Sequence, residues 1–201
     1  LERYFLEKLS MQSMFGASAL SAFKSSKLLH SMRGACSSID SLHARFVHFV
    51  DCEDNFSVLD SPQLASLLSY GELGEPQFPG DQVILSRLVV PRPGTISPWS
   101  SKATDIIHNC GISTVNRIER GILFSIGIKK ELEAEQVKSV DQFLYDKMTQ
   151  VVLDEIKDAE MLFMSAKPTP MQAISIANGK ETLTSANDSM GLALAQDEID
   201  Y

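Results

Sequence analysis

The chain has 201 residues, 44% hydrophobic and 22% charged, enough apolar material for a sizeable core and a length that fits one domain with an appendage or two small domains. With 26 acidic residues against 18 basic ones, the formal net charge is −8 and the pI near 5.0, so the chain repels phosphate backbones and nucleic acid is excluded as an expected partner. No apolar run reaches the ~20 residues that span a bilayer, so no membrane partner is expected either.

The numbering opens at Leu1 rather than Met, which suggests a start inside a longer natural chain. Leu1 to Met14 has a weak helical pattern and mixed charges, without the basic region, apolar core and small-residue cleavage site of a signal peptide. Cys36, Cys52 and Cys110 are odd in number and widely spaced, which argues against a disulfide framework or a zinc site and for a reducing compartment. The expected location is cytoplasmic, with an organellar one left open because transit peptides are trimmed.

In chain order, Gln12 to Gly16 reads as a weak first strand. Leu20, Phe23, Leu28 and Met32 give a short amphipathic helix over Ala19 to Met32, with Ser18 as its cap and Gly34 as its end. Ala44 to Val50, aromatic and β-branched, reads as a strand. Ser61-Pro62 has the form of an N-cap with proline at the first helical position, opening a helix to about Tyr70. Gly71 to Gly80 is rich in glycine and proline and reads as a loop.

Val83 to Val90 is a strong strand candidate, and Ser97-Pro98 opens a helix that closes at Cys110-Gly111. From Arg117 to Ile128, Ile118, Ile122, Phe124, Ile126 and Ile128 share one strand face. Gly121, Leu123, Ser125 and Gly127 lie on the other, where glycine permits close approach of a neighbour. Ser139 to Gln142 fits a capping box, and apolar spacing behind it predicts the longest helix of the chain, from Val140 to Phe163. Lys167 to Pro170 breaks that helix. The small, polar residues beyond predict one more helix, around Thr182 to Ala195, that lies on something else. The pattern is strand–helix–strand–helix given twice, over 11–71 and 82–153. It predicts an α+β, ferredoxin-like sandwich of two βαβα halves, with an antiparallel or mixed sheet and helices on one face.

Several chemistries lack their residues. Gly179-Lys180 has Ile174 where a P-loop needs glycine, and there is no GxGxxG or nucleophile elbow. His30, His43, His48 and His108 form no HxxxH pair, and His43 and His48, five apart on a strand, point to opposite faces. Glu155, Asp158 and Glu160 read as a solvated face, and Asp197, Glu198 and Asp200 as an acidic tail end. No metal ligand is therefore assigned. One segment concentrates donors in this acidic chain. Arg92 precedes Pro93-Gly94-Thr95, Ser97 caps a helix, and Ser100, Ser101 and Lys102 occupy its first turn. Helix N-termini attract anions, so Arg92, Thr95, Ser97, Ser100, Ser101 and Lys102 form a candidate phosphate or carboxylate site. Residue types alone favour a plainer role: Ser97 as N-cap and Trp99 as a packing anchor.

The same segment, PRPGTISPWSSKATDI, is similar to one in the N-terminal region of the large formylglycinamide ribonucleotide amidotransferases. Ala19 to Phe23, Val47-His48-Phe49, Asn109-Cys110-Gly111, Arg117 to Gly121, Tyr145 to Thr149 and Lys167 to Pro170 follow in that family's order. Met190 to Ala195 and Asp197 to Tyr201 resemble its linker, so the resemblance runs roughly from Met14 to Tyr201. It implies a domain over 11–165 resembling a fused pair of PurS subunits. A helical linker over 166–201 would lead to a synthetase domain. The implied partners are the synthetase and glutaminase domains of the same parent chain.

The implied enzyme is a glutamine-dependent carbon–nitrogen ligase of purine biosynthesis. It uses ATP and Mg to convert formylglycinamide ribonucleotide to the amidine with ammonia from glutamine. The resemblance places the ATP and magnesium ligands and the glutaminase cysteine beyond Tyr201. It therefore implies no catalytic residue and no cofactor in this piece, which is expected to be inactive alone. Its implied role is to brace the synthetase domain and help close the ammonia route, with Arg92 to Lys102 facing substrate. A different reading is a stand-alone, non-catalytic α+β module, an ACT-like sensor of a small metabolite.

Overall fold

The computed structural model describes residues 11–53, 56–72, 78, 82–164, 170–171 and 173–201. The element order is β1 (Met11–Ser18), α1 (Ala22–Ala35), β2 (Ile39–Cys52), α2 (Pro62–Leu68), β3 (Val83–Pro91), α3 (Pro98–Asn109), β4 (Val115–Ile128), α4 (Ala134–Asp141) and β5 (Gln150–Leu153). A 3₁₀ turn over Ile156–Leu162 follows, then α5 (Lys180–Met190) and α6 (Gln196–Asp200). Most of the expected loop at Gly71 to Gly80 and the expected break at Lys167 to Pro170 lie outside the described residues. The chain divides into two compact units, 1–165 and 166–201.

In the first unit all five strands pair antiparallel in the order β1-β2-β4-β3-β5. The two βαβα runs therefore meet at the centre of one sheet, where β2 and β4 pair from Ile39↔Ile128 to Cys52↔Val115. Each run contributes its second strand to the seam and its first strand to the flank. The result is a ferredoxin-like α+β sandwich, and β5 extends it by pairing with β3 from Leu88↔Leu153 to Pro91↔Gln150.

Strand alternation sorts the core. On one face Ala44, Phe124, Ile126 and Ile128 pack with Met32 of α1 and Val140 of α4. Farther along the same face, Val50, Val115 and Ile118 pack with Leu64 and Leu68 of α2 and Ile107 of α3. The opposite face is covered too: Val47, Phe49, Leu88 and Val90 pack with Ala159 and Leu162 of the 3₁₀ turn. Gly121 makes that second layer possible, because a Cβ there would stand 2.8 Å from the Val89 carbonyl oxygen and 3.1 Å from Phe49.

Several local expectations need correction. Ser18 does not cap α1. It ends β1, its hydroxyl donates to the Leu20 carbonyl, and Ser21 is the cap, accepting from the Lys24 N–H at 3.3 Å. Nor does Gly34 end α1, which runs on to Ala35, with Met32 of its last turn wholly buried. The packing of that turn outweighs the roughly 1 kcal/mol penalty of an interior glycine.

The long helix from Val140 to Phe163 does not exist. α4 ends at Asp141, Asp146 turns the chain by accepting from the N–H groups of Thr149 and Gln150, and β5 and a 3₁₀ turn follow. The helical spacing arose from a helix end, a strand and a tight turn laid in series. The Val151-Val152 pair favours the open edge of β3 over a helix interior. The capping box is at Glu133, whose N–H donates to Gln136 Oε1, not at Ser139.

In the second unit the helix expected around Thr182 to Ala195 is α5, which stops short of Ala195, and a separate short helix, α6, follows. α5 ends at Gly191, left-handed at φ +63°, which stops the helix. The Asn187 side chain then clasps Leu194, accepting from its N–H at 2.8 Å, and Lys180 of α5 pairs with Asp200 of α6 at 2.8 Å. Among the described residues no helix is long and apolar enough to cross a membrane.

Candidate functional site

The Arg92–Lys102 segment lies between β3 and the first turn of α3. Ser97 is the N-cap: its Oγ accepts from the Ser100 N–H at 3.0 Å, and Pro98 takes the first helical position. The Ser97 hydroxyl proton goes to Glu119 Oε2 at 2.7 Å, and the Ser97 N–H donates to Glu119 Oε1 at 3.2 Å. Glu119 is fully buried, with Arg117 Nη2 3.9 Å from its Oε1. A carboxylate of the protein itself therefore sits at this helix terminus, where the free N–H groups and the dipole favour negative charge.

The remaining donors of the segment are largely turned inward. Thr95 Oγ1 donates to the Arg92 carbonyl at 2.7 Å, and Ser101 Oγ to the Ser97 carbonyl at 3.4 Å. Ser100 is fully buried, and its hydroxyl has no hydrogen-bond partner among the described residues. Arg92 is exposed, with Nη1 3.5 Å from the Met148 carbonyl. Lys102 is also exposed and joins no ion pair among the described residues. The structure thus gathers Ser97, Ser100 and Ser101 into one cap and ties Thr95 to Arg92. It leaves the two cations as the outward-facing charges.

Sequence reasoning missed Glu119 as the cap's partner. It stood in view beside Arg117 on a strand of alternating apolar residues, where a buried carboxylate demands donors. Only the fold shows that the donors come from Ser97, 22 positions earlier.

A second cluster forms on the helix-covered face. His48 of β2 is fully buried, and its Nε2 lies 2.7 Å from the Tyr70 hydroxyl just past α2. Arg120 of β4, on the register partner of His48, donates from Nη1 to the same hydroxyl at 2.9 Å. The Tyr70 oxygen accepts from Arg120 and shares one proton-mediated contact with the His48 ring nitrogen. The Arg120 guanidinium also lies 4.2 Å from the Phe46 ring centroid and 4.6 Å from that of Trp99. The Trp99 ring in turn lies 5.8 Å from the His48 ring. Burial, then the Arg120 charge, holds His48 down to about 4 from its ordinary 6.5, against the opposing Met14 backbone. His48 is therefore an uncharged structural member of this lock at neutral pH. Gly16 of β1 leaves room for it, since a Cβ there would fall 2.6 Å from the ring's Cε1.

Among the described residues no group of three or more His, Cys, Asp or Glu side chains is gathered as a metal site would require. What the arrangement does is fix α2 and α3 to the sheet through polar locks: Glu119 to the α3 cap, and Arg120 with His48 to Tyr70.

Both locks and the whole Arg92–Lys102 segment fall within residues 45–163. That span matches the family described as formylglycinamide ribonucleotide amidotransferase N-terminal. It reaches from the middle of β2 to the 3₁₀ turn beyond β5, more than half of the chain. The chain belongs to the family of formylglycinamide ribonucleotide amidotransferase N-terminal domains.

Proposed function

We propose that this chain is the non-catalytic bracing and coupling region of a phosphoribosylformylglycinamidine synthase. In that reading 11–165 is the PurS-like domain and 166–201 the linker to a synthetase domain in the same polypeptide. The parent enzyme, acting in the cytoplasm, uses ATP and Mg to activate the formyl amide oxygen of formylglycinamide ribonucleotide. Ammonia released from glutamine by the glutaminase domain displaces it. This region supplies no reacting group and is inactive alone. It holds the synthetase domain and helps enclose the ammonia route.

The observation that supports this reading best is the family match over 45–163, which coincides with a sheet locked on both faces. A rigid α+β slab suits a brace. Within it, Arg92 and Lys102 are the two exposed cations of the hydroxyl-rich segment that would meet substrate phosphate, Arg92 with one nitrogen already on the Met148 carbonyl, while Thr95, Ser97, Ser100 and Ser101 shape the turn that presents them. The test uses the full-length enzyme. Arg92→Ala and Lys102→Ala should each raise the Michaelis constant for formylglycinamide ribonucleotide. If the Michaelis constants and the coupling of glutaminase to synthetase stay at wild-type values, the direct contact is wrong.

A further inference from the structure

Beside the Tyr70–Arg120 lock, the surface between α2 and α3 opens into a groove of about 190 Å³. Leu67, Tyr70, Trp99, Ala103 and Ile106 contribute apolar and aromatic walls, and Lys102 adds a cation. An enclosed apolar cavity of about 150 Å³ takes up benzene; this groove, open to solvent on one side, has room for a group of that size, one ring or a short branched chain. Its aromatic walls are held before any ligand arrives. Tyr70 is fixed through its hydroxyl by His48 and Arg120, and Trp99 lies against the Arg120 guanidinium. Preorganised walls spare a ligand the cost of ordering them.

The charge at the groove is equally specific. Lys102 is its one ionic lining residue, and the chain around it carries a net charge of −8. Asp105, three residues on in α3, forms no ion pair with it among the described residues. Ile106 is 54% exposed at the groove, apolar area that a ligand would cover. We infer that this groove binds a small monocarboxylate bearing one aromatic ring or a short branched chain. The apolar part lies between Tyr70, Trp99 and Ile106, and the carboxylate meets Lys102. This goes beyond the bracing role and does not depend on it; it gives Lys102 a carboxylate in place of the substrate phosphate and leaves that contact to Arg92, and the test needs no enzyme activity.

The test titrates phenylacetate into the 201-residue chain, with phenylacetamide and phenethylamine as neutral and cationic counterparts. Trp99, the chain's single tryptophan, reports by fluorescence, and amide NMR shifts locate the ligand. Saturable binding is expected in the order acid, amide, amine, with shifts confined to α2 and α3. Lys102→Gln should weaken phenylacetate roughly two- to fivefold, the range of an exposed ion pair, and leave phenylacetamide unchanged. Ala103→Leu, which fills the groove, should abolish saturable binding of both. The inference fails if phenylacetate does not saturate, if the amine binds as well as the acid, or if the shifts map elsewhere. It also fails if inorganic phosphate moves the same amides equally, since that would reduce the site to a bare surface cation.

Discussion

His48 and Tyr70 stand 22 residues apart, and their 2.7 Å contact between ring nitrogen and hydroxyl fastens the end of α2 to the central strand. Arg120 enters the same hydroxyl from the neighbouring strand. Tyr70→Phe removes the shared oxygen and leaves the buried His48 ring nitrogen and a charged donor without their partner. A loss of about 1–3 kcal/mol is expected in chemical denaturation. A double-mutant cycle with His48→Gln should then show strong non-additivity. Additive losses would mean that the contact carries little energy.

Acid should act through the same histidine. His48 is held at about 4 in the folded chain, whereas an unperturbed histidine titrates near 6.5. Between those values the unfolded chain binds the extra proton, so folding loses stability as pH falls. Its contribution is fully present above pH ~6.5 and declines toward pH ~4, by up to about 3 kcal/mol. His48→Gln should flatten this part of the stability–pH curve. An unchanged slope between pH 4 and 6.5 would rule out His48 as the titrating group.

The Ser97–Glu119 pair predicts an asymmetry between two substitutions. Ser97→Ala removes the α3 cap, typically worth about 1 kcal/mol. It also strips a buried carboxylate of a donor, which adds about 1–3 kcal/mol. Glu119→Gln keeps an acceptor for Ser97 and should cost less. Thermal denaturation of both variants orders them, and a larger loss for Glu119→Gln would contradict the assigned roles.

Gly121 should tolerate no side chain. Its missing Cβ leaves space that the Val89 carbonyl oxygen, a backbone atom that cannot swing aside, approaches to within 2.8 Å. Gly121→Ala should therefore cost on the order of 1–3 kcal/mol as overpacking. Gly34→Ala, on an open helix surface with nothing within 4 Å, should be neutral or stabilising. Equal effects in urea denaturation would refute the close-approach argument.

Much of this architecture is legible from residue pattern. The period-two runs at Val83–Val90 and Arg117–Ile128 and the Ser-Pro helix starts at Ser61 and Ser97 became β3, β4, α2 and α3. Local chemistry dictates them. The two-half arrangement followed from element order, but the β2–β4 seam depends on pairing between distant strands. The helix expected over Val140–Phe163 failed because helical spacing persisted across a helix, a strand and a turn, while the partner that captures Val151 and Val152 lies on β3. At the site, the Ser97 cap was visible as residue types. Its buried partner Glu119 and the His48–Tyr70–Arg120 lock were not, because each joins groups at least 22 positions apart that only the folded sheet brings together.

The bracing role is tested most directly by glutamine consumed per amidine formed in the full-length enzyme, wild type against Ser97→Ala. Hydrogen exchange should confirm that α3 has loosened while the fold persists. Glutamine hydrolysis should then outrun amidine formation, because a slackened brace lets ammonia escape. A variant with loosened α3 that still yields one amidine for each glutamine consumed, at the wild-type rate, would contradict it.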